Sequence, residues 1–143
     1  MKKNDSFQKL LLVISVLVFA IPVSLFSQTA ERVIPANAIS MVNPLKDSMQ
    51  LLPEAKTIYK TSCRPCHGEN GKGDGPSAYT LETNPADHSS GKVQNKTDGE
   101  LFWLITNGHT QTPMVSFKRN ITVRERWELI LYIRSLAKKS EIK

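Results

Sequence analysis

The sequence predicts an all-α domain, because two capping boxes each open a stretch of helically spaced apolar residues, a proline-led stretch precedes a tight cysteine-containing turn, and no alternating strand of useful length lies between them. With 143 residues the chain has room for one domain. Hydrophobic residues make up 40% of it, yet Leu10 to Phe26 is almost wholly apolar while residues 60 to 100 are mostly polar. The folded part therefore has a thin core, and small domains of that kind need a staple: disulfides, a metal or a large apolar cofactor. Two cysteines cannot build a disulfide framework.

Taken in order, Met1-Lys2-Lys3 followed by LLLVISVLVFAIPVSLF (Leu10 to Phe26) has the pattern of a secretory signal, assigned to residues 1–30. The apolar run is long for a signal core and short of the roughly 20 residues that span a bilayer, so a retained membrane anchor is the alternative. Neither cysteine lies near its end, which excludes a lipoprotein anchor. Residues 31–52 show no sustained period, contain Pro35 and Pro44, and read as an extended linker ahead of a domain at 53–143. The first helix begins near Pro53, which the first helical position tolerates, and Glu54 suits its dipole. The second opens at the capping box Thr97-Asp98-Gly99-Glu100, runs through Leu101-Phe102-Trp103-Leu104-Ile105 and stops at Asn107-Gly108. The third repeats the device at Thr122-Val123-Arg124-Glu125 and places Val123, Trp127, Ile130, Leu131 and Arg134 at three- and four-residue steps, with Ile133 and Leu136 widening the apolar face.

Charge excludes one class of partner. The net charge is +6, of which residues 1–30 supply +2, and the basic residues are dispersed rather than interleaved with aromatics as on a nucleic-acid surface. A mild positive field can still steer encounters with an acidic partner. No Ser/His/Asp set or paired carboxylates stand out, and GKGDG lacks the strand and helix that a nucleotide loop requires, so no catalytic residue is assigned.

The informative string is Cys63-Arg64-Pro65-Cys66-His67. Two thiols three positions apart on a helical turn can each add to one vinyl group of haem, and the adjacent imidazole then lies under the iron. Three other uses of the motif compete. A thioredoxin-like pair would open a long helix, but Gly68-Glu69-Asn70-Gly71-Lys72-Gly73-Asp74-Gly75-Pro76 must be loop. Structural zinc needs a fourth ligand, such as His88 or His109, and usually a second chelating knuckle. A plain disulfide leaves His67 without a task.

With that motif the chain resembles the class I cytochrome c family over about Pro53 to Leu136. The likeness is carried by Tyr59 four residues before the first cysteine, the run CHGENGKGDGP, Pro113-Met114 in TPMVSF after Asn107-Gly108, and the closing helix WELILYIRSL (Trp127 to Leu136). One departure is Ala55, where family members often have glycine, which predicts a slightly wider or shifted helix crossing. The resemblance implies three main helices and loops wrapped around one covalently bound haem c, with His67 as one axial ligand. It also implies a proline carbonyl as partner of the His67 ring, Pro85 being favoured over Pro76.

Beyond His67 the second half of the chain holds one methionine, Met114, and two histidines, His88 and His109. Met114, in a non-helical stretch between two helices, is the expected sixth ligand, a soft thioether that favours ferrous iron. His109 in the same loop is its rival, and His88 reads as part of a solvated turn. The expected function is one-electron transfer between redox proteins outside the cytoplasmic membrane, in the periplasm, by a monomer or a subunit of a respiratory complex. The alternative is a haem enzyme subunit or ligand sensor with an open or His-ligated sixth position. Lys72, Lys92 and Lys118 are candidates to surround the haem edge.

Overall fold

A computed structural model describes the backbone of residues 33–140 and the side chains of residues 33–137; the export segment expected at residues 1–30 lies outside the described residues. Among the described residues there is no strand. The order is α1 (Ala36–Ile39), a 3-10 turn at Met49–Leu51, α2 (Leu52–Ser62), α3 (Arg64–His67), a 3-10 turn at Ala78–Thr80, α4 (Gly91–Gln94), α5 (Asp98–Asn107) and α6 (Val123–Ser140). No helix among the described residues is long and apolar enough to cross a membrane.

The three main helices start and stop where their sequence signals lie. Pro53 and Glu54 occupy the first turn of α2 and Lys60 its last, so the charges oppose the dipole at both ends. At α5 the Thr97 amide donates to Glu100 Oε2 (2.6 Å) and the Glu100 amide donates back to Thr97 Oγ1 (3.1 Å). Thr122 and Glu125 repeat that exchange at α6, at 2.7 and 3.3 Å. Each box satisfies backbone donors that the first helical turn otherwise leaves unpaired.

The core is the crossing of α2 and α6 with α5 laid alongside. Ala55 and Tyr59, one turn apart on α2, are both fully buried and join Leu129, Ile130, Ile133 and Leu136 of α6 in one apolar cluster. Each such aliphatic side chain contributes about 1.5 to 3 kcal/mol on burial. Ala55 thus stands at the crossing with no exposed surface, its single methyl accommodated there. Leu101 and Ile105 bring α5 into the cluster, and Phe102 stacks on Trp127 with centroids 4.0 Å apart and planes 17° apart. Arg134 clamps the far end of α6, donating to Asp98 Oδ1 (2.7 Å) and to the carbonyls of Gln94 (2.7 Å) and Lys96 (2.6 Å).

Residues 33–52 differ from the extended linker expected for 31–52. They hold α1 and lie on the domain: Asn43, 1% exposed, donates from Nδ2 to the Trp127 carbonyl of α6 (3.0 Å), and Thr97 Oγ1 donates to the Ile39 carbonyl (2.9 Å). Ala38 is buried against Gly99, where a Cβ would collide with the Ala38 carbonyl. The segment is held by these polar bonds, by the close approach at Gly99 and by Leu45 and Leu52 packed against the core. Two isolated leucines and single polar bonds make no apolar period.

Candidate cofactor-attachment site

Cys63, Cys66 and His67 come together on one helical turn. The Cys63 carbonyl accepts from the amides of Cys66 (3.2 Å) and His67 (2.8 Å), with Pro65 early in α3 where its missing N–H costs nothing. Both thiols are free and partly buried. Burial, followed by the neighbouring Cys66, pushes the Cys63 thiol up to about 12. A disulfide-exchanging thiol is instead shifted downward. The loop that follows folds back over the turn and closes its open carbonyls: Ser77 donates to Pro65 O (2.8 Å), Gly75 to Cys66 O (3.1 Å) and Gly73 to His67 O (2.9 Å). The glycine-rich run is therefore a lid on the attachment turn.

His67 Nδ1 donates to the Ala86 carbonyl at 2.9 Å. This corrects the expectation of Pro85 or Pro76. The acceptor is the next backbone carbonyl after Pro85, and the side chain that carries a carbonyl gives no sign of which way it points. The bond fixes the tautomer and leaves the Nε2 lone pair for a metal. Burial lowers the His67 pKa, offset in part by the Ala86 bond, so the ring is neutral at neutral pH, the form that ligates. Two free thiols one turn apart, an oriented neutral imidazole and an adjoining apolar cluster are the donor set that a covalently attached haem requires. Among the described residues no three His, Cys, Asp or Glu side chains converge as a site for a bare metal ion.

Met114 and His109 occupy one turn but differ in burial. The His109 amide donates to the Met114 carbonyl (3.1 Å); His109 is exposed, while Met114 is partly buried against the same apolar cluster that Cys63 touches. The stretch is stitched to the end of α5 by Phe117 N–H to Ile105 O (3.1 Å) and Ser116 Oγ to Thr106 O (2.6 Å). Lys72, a candidate for the haem edge, lies 3.5 Å from Asp87 in an ion pair, and Lys92 and Lys118 are exposed.

His88 departs from the solvated turn expected of it. It is 8% exposed, its ring stacked on that of His67 with centroids 3.9 Å apart and planes 22° apart. Burial, with His67 as a second cause, pushes its pKa down to about 3. Nothing in the local string Pro85-Ala86-Asp87-His88 signals this, because the enclosing residues are Tyr59 of α2, Gly71 of the glycine loop and Gln94 of α4.

The cytochrome c family model matches residues 53–137, and the chain belongs to that family. Its cofactor is covalently bound haem c, and electron transfer is its class of activity. A chain of the reducing HAO-like protein complex of Kuenenia stuttgartiensis is similar in structure, with 35% sequence identity and a TM-score of 0.56 over 62% of this chain and 44% of that one. This chain thus spans less than half the length of that relative. No curated protein matches it.

Proposed function

We propose that this protein is a one-electron carrier in which Cys63 and Cys66 hold the haem through thioether bonds and His67 and Met114 are the axial ligands. The observation that carries the reading is that His67, the residue after the second cysteine, donates from Nδ1 to the Ala86 carbonyl and so presents Nε2 as a ligand. Bound there, the haem supplies a reversible one-electron couple. The protein residues do the rest: the lid over Pro65, Cys66 and His67 keeps the turn from unwinding, and the half-buried Met114 side chain offers a soft sulfur. The exposure of His109 favours Met114 over it as sixth ligand. With Met114 as ligand, its thioether would occupy the position that an enzyme or sensor would leave open.

Export is part of the same proposal, with the basic N-terminus and the Leu10–Phe26 run acting as signal or anchor and the carrier working in the periplasm between redox proteins. The likeness to a chain of the HAO-like complex supports a second form, in which the domain serves as an electron-relay subunit of a larger oxidoreductase. The test is to express the chain with a cytochrome maturation system and measure intact mass, thiol alkylation and absorption. The expected protein carries one haem, has no alkylatable thiol and shows the far-red ferric band of methionine ligation. A colourless protein with two reactive thiols refutes the attachment, and a high-spin spectrum refutes Met114.

A further inference from the structure

The groups around His67 that take no part in attachment converge on His88. Its amide donates to Gly71 O (2.6 Å), its carbonyl accepts from Gln94 Nε2 (2.5 Å), and its Nδ1 lies 3.3 Å from the Tyr59 hydroxyl. Tyr59, itself fully buried, meets the His88 ring edge-on, with centroids 5.8 Å apart and planes 70° apart. The same hydroxyl donates to Gly68 O at 3.2 Å. A phenol has one proton, so both contacts are met when His88 carries its proton on Nδ1 and gives it to the Tyr59 oxygen. Gly71 makes the approach possible: a Cβ there would lie 2.7 Å from Leu136 Cδ1 and 2.9 Å from His88 Cβ. His88 is thus pinned through its backbone on both sides and through its ring, with one flat face turned to His67.

The hydrogen bond to the Ala86 carbonyl orients the His67 ring from one edge atom. A nearly parallel ring 3.9 Å away bears on its whole flat face and narrows the remaining rotation of that plane. The plane of an axial imidazole decides which iron d orbital its π electrons overlap, so a fixed plane is a fixed ligand field. We propose that His88 is a positioning residue that sets the plane of the His67 imidazole. The inference rests on His67 being an iron ligand.

The test uses the matured holoprotein and two variants, His88→Leu, which keeps bulk but removes the flat face, and His88→Phe, which keeps the face. Proton NMR of the ferric form reads the haem-methyl hyperfine shifts, which report the imidazole plane, and voltammetry reads the potential. His88→Leu should change the order or spread of the methyl shifts. It should also move the reduction equilibrium at least about threefold, about 30 mV at 59 mV per tenfold for one electron, while His88→Phe keeps the wild-type order. A His88→Leu protein with wild-type methyl shifts and potential overturns the proposal. Wild-type protein gives a readout that needs no variant to fold: in the ferrous form, nuclear Overhauser contacts between the rings of His67 and His88 are expected, and their absence overturns the stack. Hyperfine-shifted His67 ring protons identify it separately as the ligand, so a failure of that reading is seen as the lack of those shifts, apart from any effect of His88.

Discussion

The two sides of the site are built differently. On the His67 side, residues 68–88 return to the attachment turn and bond to it directly, through the amides of Gly73, Gly75 and Ser77 and through the Ala86 carbonyl. On the Met114 side, residues 108–121 are tied to the end of α5 by Gly108, Ser116 and Phe117 and touch the core through Met114, Phe117 and Ile121, with most of their other side chains exposed. In the proposed ligation, His67 would be held by the structure that also holds the thioethers. Met114 sits on a short loop with most of its side chains exposed, so opening should begin there, because local opening free energy follows buried contact and bonded backbone.

The largest expected effect comes from removing the shared support on the first side. A Cys63→Ser, Cys66→Ser double variant should release all of its haem when denatured in acid and organic solvent, whereas the wild type retains it, as a haem-stained denaturing gel would show. Next is the second side alone. Met114→Ala should lower the potential by on the order of 100 mV, within the ~0.8 V that axial ligands span, and admit carbon monoxide, while His109→Ala leaves both unchanged; potentiometry and the ferrous carbon monoxide spectrum decide. Hydrogen exchange then compares the two loops in the intact protein: the amide of His109 should exchange at least roughly tenfold faster than those of Gly73 and Gly75, and equal protection would erase the contrast.

The smallest effect lies where the Met114 loop enters α6. Thr122→Ala removes the cap and should cost about 1 kcal/mol, read as a lower thermal midpoint. Hydrogen bonds from the Thr122 side chain and backbone hold the Glu125 carboxyl below its ordinary value, despite a small opposing effect of burial. A depressed carboxylate contributes stability above its unfolded pKa and loses it as the pH falls through the folded one. The difference in midpoint between wild type and variant should therefore be full at neutral pH and shrink in acid.

What could be read in advance was whatever a local pattern encodes. Both capping boxes, the Asn107-Gly108 stop and the apolar face of Trp127 to Leu136 lie where their short-range chemistry puts them, and the spacing of Cys63, Cys66 and His67 carries its own reason. His88 was illegible because its enclosure is made by Tyr59, Gly71 and Gln94, none of them its neighbour in sequence. The Ala86 carbonyl is illegible because a backbone acceptor has no residue type. Residues 33–52 are illegible for a third reason: the Asn43 and Thr97 bonds and the isolated Leu45 and Leu52 contacts have no period.

The tether from Asn43 to the Trp127 carbonyl has a practical corollary for anyone shortening this protein. A version trimmed to begin at Pro53, where the family match starts, would strip the covering from the notch at Gly99 and leave a helix carbonyl without its side-chain donor. The stretch that matches the family thus begins downstream of the first residues that pack on it.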